Sequence, residues 1–253
     1  MVETEDSCSQ VICDLNAAWA IAKKDIRTYY LKPNIIVAGL LFPLFMFLAF
    51  AAGRTTVTGS LIPGLVAITI LFSASTIEPV SIPIERRVGT FERLISAPVT
   101  FPAIVFGESL SGLIYSVGIA LLPVVIGLLA FSTPILNPLI LFVGMVLCAF
   151  CFSTMGTLVA SYPTENVGEV MSILNVIRLP LVFISGVFIP LADLPGVARI
   201  ITFGSPLTYG YDLISYGFHG TGYFPIFLDL AVLVGFCLLF QYTAAWLYRR
   251  FNE

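Results

Sequence analysis

Four groups of side chains in this sequence could do chemistry, and the placement of each limits what that chemistry is. Cys148 and Cys151 form a CxxC pair, the spacing of redox and thiolate-metal sites. Both lie inside a long apolar run, where such a motif lacks its usual context, and small residues on one helix face are the simpler reading. His219 is the only histidine and stands isolated: no HExxH, Cys/His cluster or Ser/His/Asp arrangement is evident. We therefore expect no catalytic residue and no metal site. Glu78, Glu108 and Arg178 are charges within apolar runs, where an unpaired charge costs at least about 3 kcal/mol. The last group is a charged block running from Glu85 through Arg86, Arg87, Val88, Gly89, Thr90, Phe91, Glu92, Arg93 and Leu94 to Pro98. For fifty residues on either side almost everything is hydrocarbon.

The elements that must position these groups are set by composition. Of 253 residues, 58% are hydrophobic and 11% charged, and the mean hydropathy is +0.99. A soluble domain carries about 25% charged residues, so the solvent here is a bilayer. The net charge of -3 gives no argument for nucleic acid. Cys8, Cys13 and Cys237 add no disulfide framework. Residues 1–10 are acidic and polar, unlike a secretory signal.

A spanning helix needs about 20 mostly apolar residues. Six runs qualify: 34–53, 61–84, 103–131, 139–161, 170–190 and 225–248. Pro43, Pro63, Pro79, Pro83, Pro123 and Pro180 fall within them, which is tolerated where neighbours satisfy the freed carbonyls. Lys23, Lys24, Arg27 and Lys32 precede the first run. Arg86, Arg87 and Arg93 separate the second from the third, and Arg249 and Arg250 follow the sixth. These are nine of the twelve basic residues, and six spans put all of them on one side. Arg54 and Arg199 fall opposite. The positive-inside rule makes both termini and the charged block cytoplasmic.

Two connections are unusual. Ile12, Leu15, Trp19, Ala22, Ile26 and Tyr29 recur at spacings of three and four, with Asn16, Lys23, Lys24 and Arg27 largely off that stripe. The pattern reads as an amphipathic helix lying in the inner interface; the alternative is a soluble helix packed on a partner. The stretch 191–222 is long yet apolar. Leu194, Val197, Ile200 and Ile201 fit one short helix, and Leu207, Tyr211, Ile214 and Phe218 fit another. This is either a hairpin dipping into the outer leaflet, allowed only where protein or a cavity covers its backbone, or a loop whose tyrosines form an aromatic belt.

Counted from the inner ends of their runs, Glu78, Glu108 and Arg178 lie at similar depth, roughly 9 to 14 Å in. Arg178 is expected to pair with Glu78 or Glu108 across facing helices; the functional alternative is a polar vestibule for substrate.

No GxxxxGK[ST] loop is present, and every lysine lies in the first 32 residues. ATP phosphates would have to be held by another chain. The block from Glu85 to Leu94, followed by Ala97 and Pro98, resembles the cytoplasmic loop of ABC-2 type exporter permeases. A second match is Ser185-Gly186-Val187-Phe188-Ile189-Pro190, continuing to Pro195 and then to Pro206 and Tyr209. It resembles that family's signature at the end of the fifth span and its outer hairpin. Glu108, where members often carry Lys, and Val88, in place of a further charge, depart from the pattern.

The resemblance implies a single domain over residues 1–253. It is all-α and integral to the membrane, with six transmembrane helices, an N-terminal amphipathic interfacial helix in 1–33, a coupling segment at 85–102 and a re-entrant-type outer hairpin at 191–222. It further implies the transmembrane subunit of an ATP-driven exporter in the plasma membrane. Two permease chains, identical or closely related, would form the pathway. Two separate ATP-binding subunits, carrying ATP and Mg, would dock on the Glu85 block. Apolar anchors such as Phe91, Leu94 and Ile95 fit a protein interface, and Phe91, Glu92 and Leu94 are the expected contact. A loop that only sets topology is the alternative. An ATP-independent secondary transporter or channel is the competing function, but no internal repeat of the kind many carriers show is evident.

Overall fold

The computed structural model describes residues 2–30, 41, 43–45, 48, 61–188 and 200–252. Among these, every regular element is helical: α1 (Val2–Asp25), which passes into a π turn (Ile26–Tyr30), α2 (Ile62–Ala74), α3 (Glu78–Arg87), α4 (Thr90–Ile95), α5 (Phe101–Ala130), α6 (Pro138–Ala160), α7 (Val167–Ile184), α8 (Pro206–His219) and α9 (Ile226–Asn252). Five stretches are long and apolar enough to cross a membrane: Ile62–Arg87, Phe101–Leu129, Pro138–Ala160, Val167–Ile184 and Ile226–Phe251. They match the second to sixth expected runs within a few residues at most boundaries; the fifth ends at Ile184 rather than at 190. The first run lies outside the described residues, apart from helical Leu41, Pro43, Leu44, Phe45 and Leu48. Lys32, Arg54, Arg199, Pro190, Pro195 and most of the first half of the outer connection lie outside them too.

Helix α6 is the hub, packing against α2, α3, α5, α7, α8 and α9. Its contact with α8 is made by small residues. A Cβ on Gly217 would fall 2.5 Å from Leu141 Cβ, one on Gly144 2.9 Å from Leu213 Cβ, and one on Gly210 2.6 Å from Cys148 Sγ. The partners descend along α6 as they climb α8, so the two helices run antiparallel with backbones nearly touching. This is where the CxxC goes: Cys148 faces Gly210, and Cys151 joins Leu213, Leu233 and Cys237 in an apolar cluster. The loop before α6 is tied to the same helix, Leu136 N and Asn137 N donating to the Gly217 carbonyl (3.1 and 2.9 Å).

The span Ile62–Arg87 is broken. Helix α2 ends at Ala74 and α3 begins at Glu78. Ser73, Ser75 and Thr76 each fold their hydroxyl back onto the carbonyl four residues earlier, a habit that bends helices. Pro79 then has no N–H to continue the ladder onto the Ser75 carbonyl.

Helix α1 departs from the expected stripe. Ala18, Ile21, Ala22 and Tyr29 are buried, while Ile12, Leu15 and Trp19 are more than half exposed. The buried face packs on α5 at Gly107, where a Cβ would meet the Ala18 carbonyl at 2.8 Å. The difference has a simple cause: the helix carries two apolar faces, one for protein and one left outward, which a single stripe merges. Asp14 fastens the same contact, accepting from Thr100 N and Oγ1 (3.3 and 2.8 Å) at the N-terminus of α5, where a carboxylate is favoured by the helix dipole.

Candidate functional site

The charged block folds as the foot of α3, a tight turn and the short helix α4. Val88 N and Gly89 N close the helix end onto the carbonyls of Ile84 and Arg86 (3.0 and 3.1 Å). Gly89 has φ 71°, the left-handed conformation that favours glycine. No atom lies near a Cβ built there, so the backbone rather than space demands it. Thr90 Oγ1 donates back to the Glu85 carbonyl (3.3 Å). The turn divides the block into two sides. Arg87, Val88, Thr90, Glu92, Arg93, Ser96 and Pro98 are exposed, and Leu94 is half-buried.

Phe91 faces the other way, at 2% exposure. Its ring lies 5.6 Å from that of Tyr248 on α9, with the Arg86 guanidinium 4.6 Å from its centroid. It sits in an apolar cluster with Ile21, Ile82, Ile104, Val170 and Ala244. Of the expected contact residues Phe91, Glu92 and Leu94, Phe91 is turned into the protein, Glu92 is exposed and Leu94 is half-buried. Phe91 anchors α4 from within, because it is the largest apolar side chain on a six-residue helix whose remaining positions are mostly charged or polar.

Glu85 is also turned inward, at 5% exposure. Lys24 Nζ reaches its Oε1 at 2.7 Å and Asp25 Oδ1 at 3.0 Å, and Tyr29 OH donates to Glu85 Oε1 at 3.3 Å. Glu108 on α5 faces this group and contributes to its field. Burial works against the charge of Lys24, but Glu108, Asp25 and Glu85 outweigh it and hold the ammonium above its ordinary value. Burial pushes the Asp25 carboxyl up to about 6, with Lys24 opposing and Glu85 adding to the rise. Tyr29 is raised to about 12, by burial first and then by Glu85. The foot of α3 is thus locked to α1 by charge and to α9 by an aromatic pair.

Sequence reasoning missed Lys24, Asp25 and Tyr29 as site residues. A signal was present: Asp25 stands on the buried register of Ala18, Ile21, Ala22 and Tyr29, where a free carboxylate is out of place. It also missed the connection between α6 and α7. Arg86 Nη2 donates to the Ser161 carbonyl (3.4 Å), bringing this loop beside the block. A recess of about 200 Å3 opens between them, lined by Arg86, Phe91, Glu92, Pro163, Thr164 and Glu165. The loop is built by its own polar residues. Asn166 Oδ1 accepts from Gly168 N (2.9 Å) as the N-cap of α7, and Glu169 accepts from Thr164 Oγ1 and Asn166 Nδ2 (2.9 and 3.2 Å).

Deeper along the spans, Arg178 closes the break between α2 and α3. Its Nε donates to Ser75 Oγ (2.9 Å), and its Nη2 donates to the Ser75 carbonyl and to Thr76 Oγ1. The guanidinium also lies 5.5 Å from the Phe72 ring centroid. Glu78, three residues past Ser75, accepts from Ser153 Oγ (3.0 Å), which also donates to the Ser109 carbonyl (2.8 Å). Of the two carboxylates offered to Arg178 by the sequence, Glu78 shares the capped turn and Glu108 belongs with Lys24 and Asp25. Space for Glu78 comes from Gly112 and Gly156, whose Cβ atoms would fall 2.5 and 3.2 Å from its carboxylate oxygens.

The second motif is partly described. Ser185 Oγ donates to the Val182 carbonyl (2.9 Å), Gly186 has φ 84°, and Val187 packs on Gly64. Pro206 opens α8 in its first turn, and Tyr209 OH donates to the Phe203 carbonyl (2.8 Å).

Comparison with known proteins bears on the same segments. The family model described as ABC-2 type transporter matches residues 16–219. The probable multidrug ABC transporter permeases YbhR of Escherichia coli strain K12 and of Escherichia coli O157:H7 are each 24% identical to this chain over 153 residues. The aligned part is 60% of this chain and 41% of each relative, so the chain spans about two fifths of the length of the curated relatives it matches.

Proposed function

Because the chain belongs to the ABC-2 type transporter family, we propose that it is the transmembrane permease subunit of an ATP-driven exporter. Two such chains, or this chain and a close paralogue, form the translocation pathway in the plasma membrane, with both termini cytoplasmic. Two separate ATP-binding subunits drive it, and ATP and Mg stay on those subunits. Helix α1 lies in the inner interface, and α8 with the segment before it forms a hairpin re-entering from the outer side. The antiparallel register of α8 along the outer part of α6 supports that hairpin. The cargo class is apolar or amphipathic, in keeping with the multidrug permeases that the chain resembles.

One observation carries the coupling reading: a short helix pinned from inside by Phe91 while Arg87, Glu92 and Arg93 face outward. A loop that only obeyed topology would need the charges but not the internal anchor. The partner contact falls on the exposed rim and on Leu94, beside the recess shared with Glu165. The test is co-purification with a cognate ATP-binding subunit, followed by transport in vesicles. Glu92→Arg with Arg93→Glu is expected to abolish ATP-dependent transport while the protein still inserts and folds. Transport that persists without ATP, or a double variant as active as the parent, overturns the reading and favours a carrier working alone.

A further inference from the structure

A groove runs between the start of α5 and the end of α9 and continues under α1. Its wide end, about 490 Å3, is bordered by Thr100, Pro102, Tyr242, Trp246 and Arg249. Its narrow end, about 360 Å3, shares Thr100 and Pro102 and is walled by Leu15, Ala18, Ala103 and Phe106. The two ends differ in chemistry. At the wide end Arg249 is exposed, Tyr242 and Trp246 are 73% and 45% exposed, and Arg250 stacks 5.2 Å from the Trp246 ring centroid. At the narrow end the lining is largely apolar, and most of its polar groups are engaged within the protein, Gln241 Oε1 excepted. Asp14 holds Thr100 N and Oγ1, and Gln241 Nε2 donates to the Pro102 carbonyl (3.2 Å).

The polarity of the groove follows the helices. Helix α5 enters the span at Phe101 and α9 leaves it near Phe251. Gln241 on α9 meets Pro102 at the start of α5, so Trp246 and Arg249, five and eight residues further along α9, lie toward the water edge, while Ala103 and Phe106 run the other way along α5. Cation and aromatic belt outside, hydrocarbon inside, is the gradient of a phospholipid standing in a leaflet. We propose that this groove is a binding site for one anionic phospholipid. Its phosphate meets Arg249, its glycerol region lies against Trp246 and Tyr242, and one acyl chain enters the channel between α1 and α5. The proposal rests on the assigned orientation only in facing the cytoplasmic leaflet; the site itself needs only the bilayer.

The test uses the two tryptophans. In a Trp19→Phe background Trp246 is the sole indole. The full chain is reconstituted in phosphatidylcholine vesicles containing brominated-chain phosphatidylglycerol or, at the same mole fraction, brominated-chain phosphatidylcholine. Quenching of Trp246 is expected to show about fivefold preference for the anionic lipid, the weight of one basic residue at a charged surface. Arg249→Gln removes that preference. Ala245→Phe, which fills the groove without changing any charge, removes it as well, and Lys23→Gln outside the groove retains it. Equal quenching by both lipids overturns the proposal. So does a preference that survives Ala245→Phe, which would mean surface charge alone, or a Trp246 that neither lipid reaches, which would mean that protein covers the groove.

Discussion

Phe91 is held by Tyr248 and Arg86 in a buried cluster that draws apolar residues from four further helices, so truncation leaves a cavity that a six-residue helix cannot close. Phe91→Ala is expected to lower stability by about 3–5 kcal/mol, read as a fall in the thermal unfolding midpoint in detergent. Glu92→Ala, one residue on and exposed, should stay within about 0.5 kcal/mol. Asp25 gives a pH signature. Its carboxyl titrates near 6 in the folded chain against about 3.9 when unfolded. Between those values the folded state binds more protons, so the stability contributed by Asp25 is fully present below about pH 4 and is lost as pH rises to about 6. Asp25→Asn should flatten that slope, by an amount on the order of 3 kcal/mol, seen as melting midpoints whose drop from pH 4 to 6.5 is reduced. Arg178→Leu removes the donors that close the broken span. It should cost more than a surface change, about 1–3 kcal/mol for a buried carbonyl left without a partner.

Helix α8 is held by how closely its backbone approaches α6, not by long side chains. A side chain at Gly217 meets the backbone of α6, Leu141 Cα at 2.7 Å, which cannot swing aside. Gly217→Leu is therefore expected to push α8 off α6 and expose residues 200–225 to protease added from the outer side, with α1 to α4 still folded. Gly107→Leu is the matching change at the inner end: it should release α1 from α5 and with it the Lys24 bridge to Glu85. These glycines were not singled out in the sequence. Within an apolar run a glycine reads as composition, and only the facing helix reveals it as a contact.

Over the whole molecule, the spans were legible and their packing was not, for a reason specific to bilayers. Length and apolarity are forced by the hydrocarbon thickness, so the runs beginning near 61, 103, 139, 170 and 225 declared themselves. Which face meets protein leaves no such trace, since lipid and core are equally apolar. The 18-residue apolar stretches of the spans Ile62–Arg87 and Ile226–Phe251 have mean hydropathies of 1.8 and 2.0, yet 89% of the first and 17% of the second is buried within the protein. The same blindness overlooked Asp25 and the inward side of Phe91, whereas the charges beside Gly89 were visible as a block. The break before Glu78 has a consequence for inheritance. Pro79 removes the N–H that would serve the Ser75 carbonyl, and Arg178, from a distant part of the chain, supplies the replacement. The bond to that carbonyl is the part of the Arg178 role that depends on Pro79. Descendants of this sequence should tend to change the two together, since a residue with an N–H at 79 relieves the demand on the buried arginine.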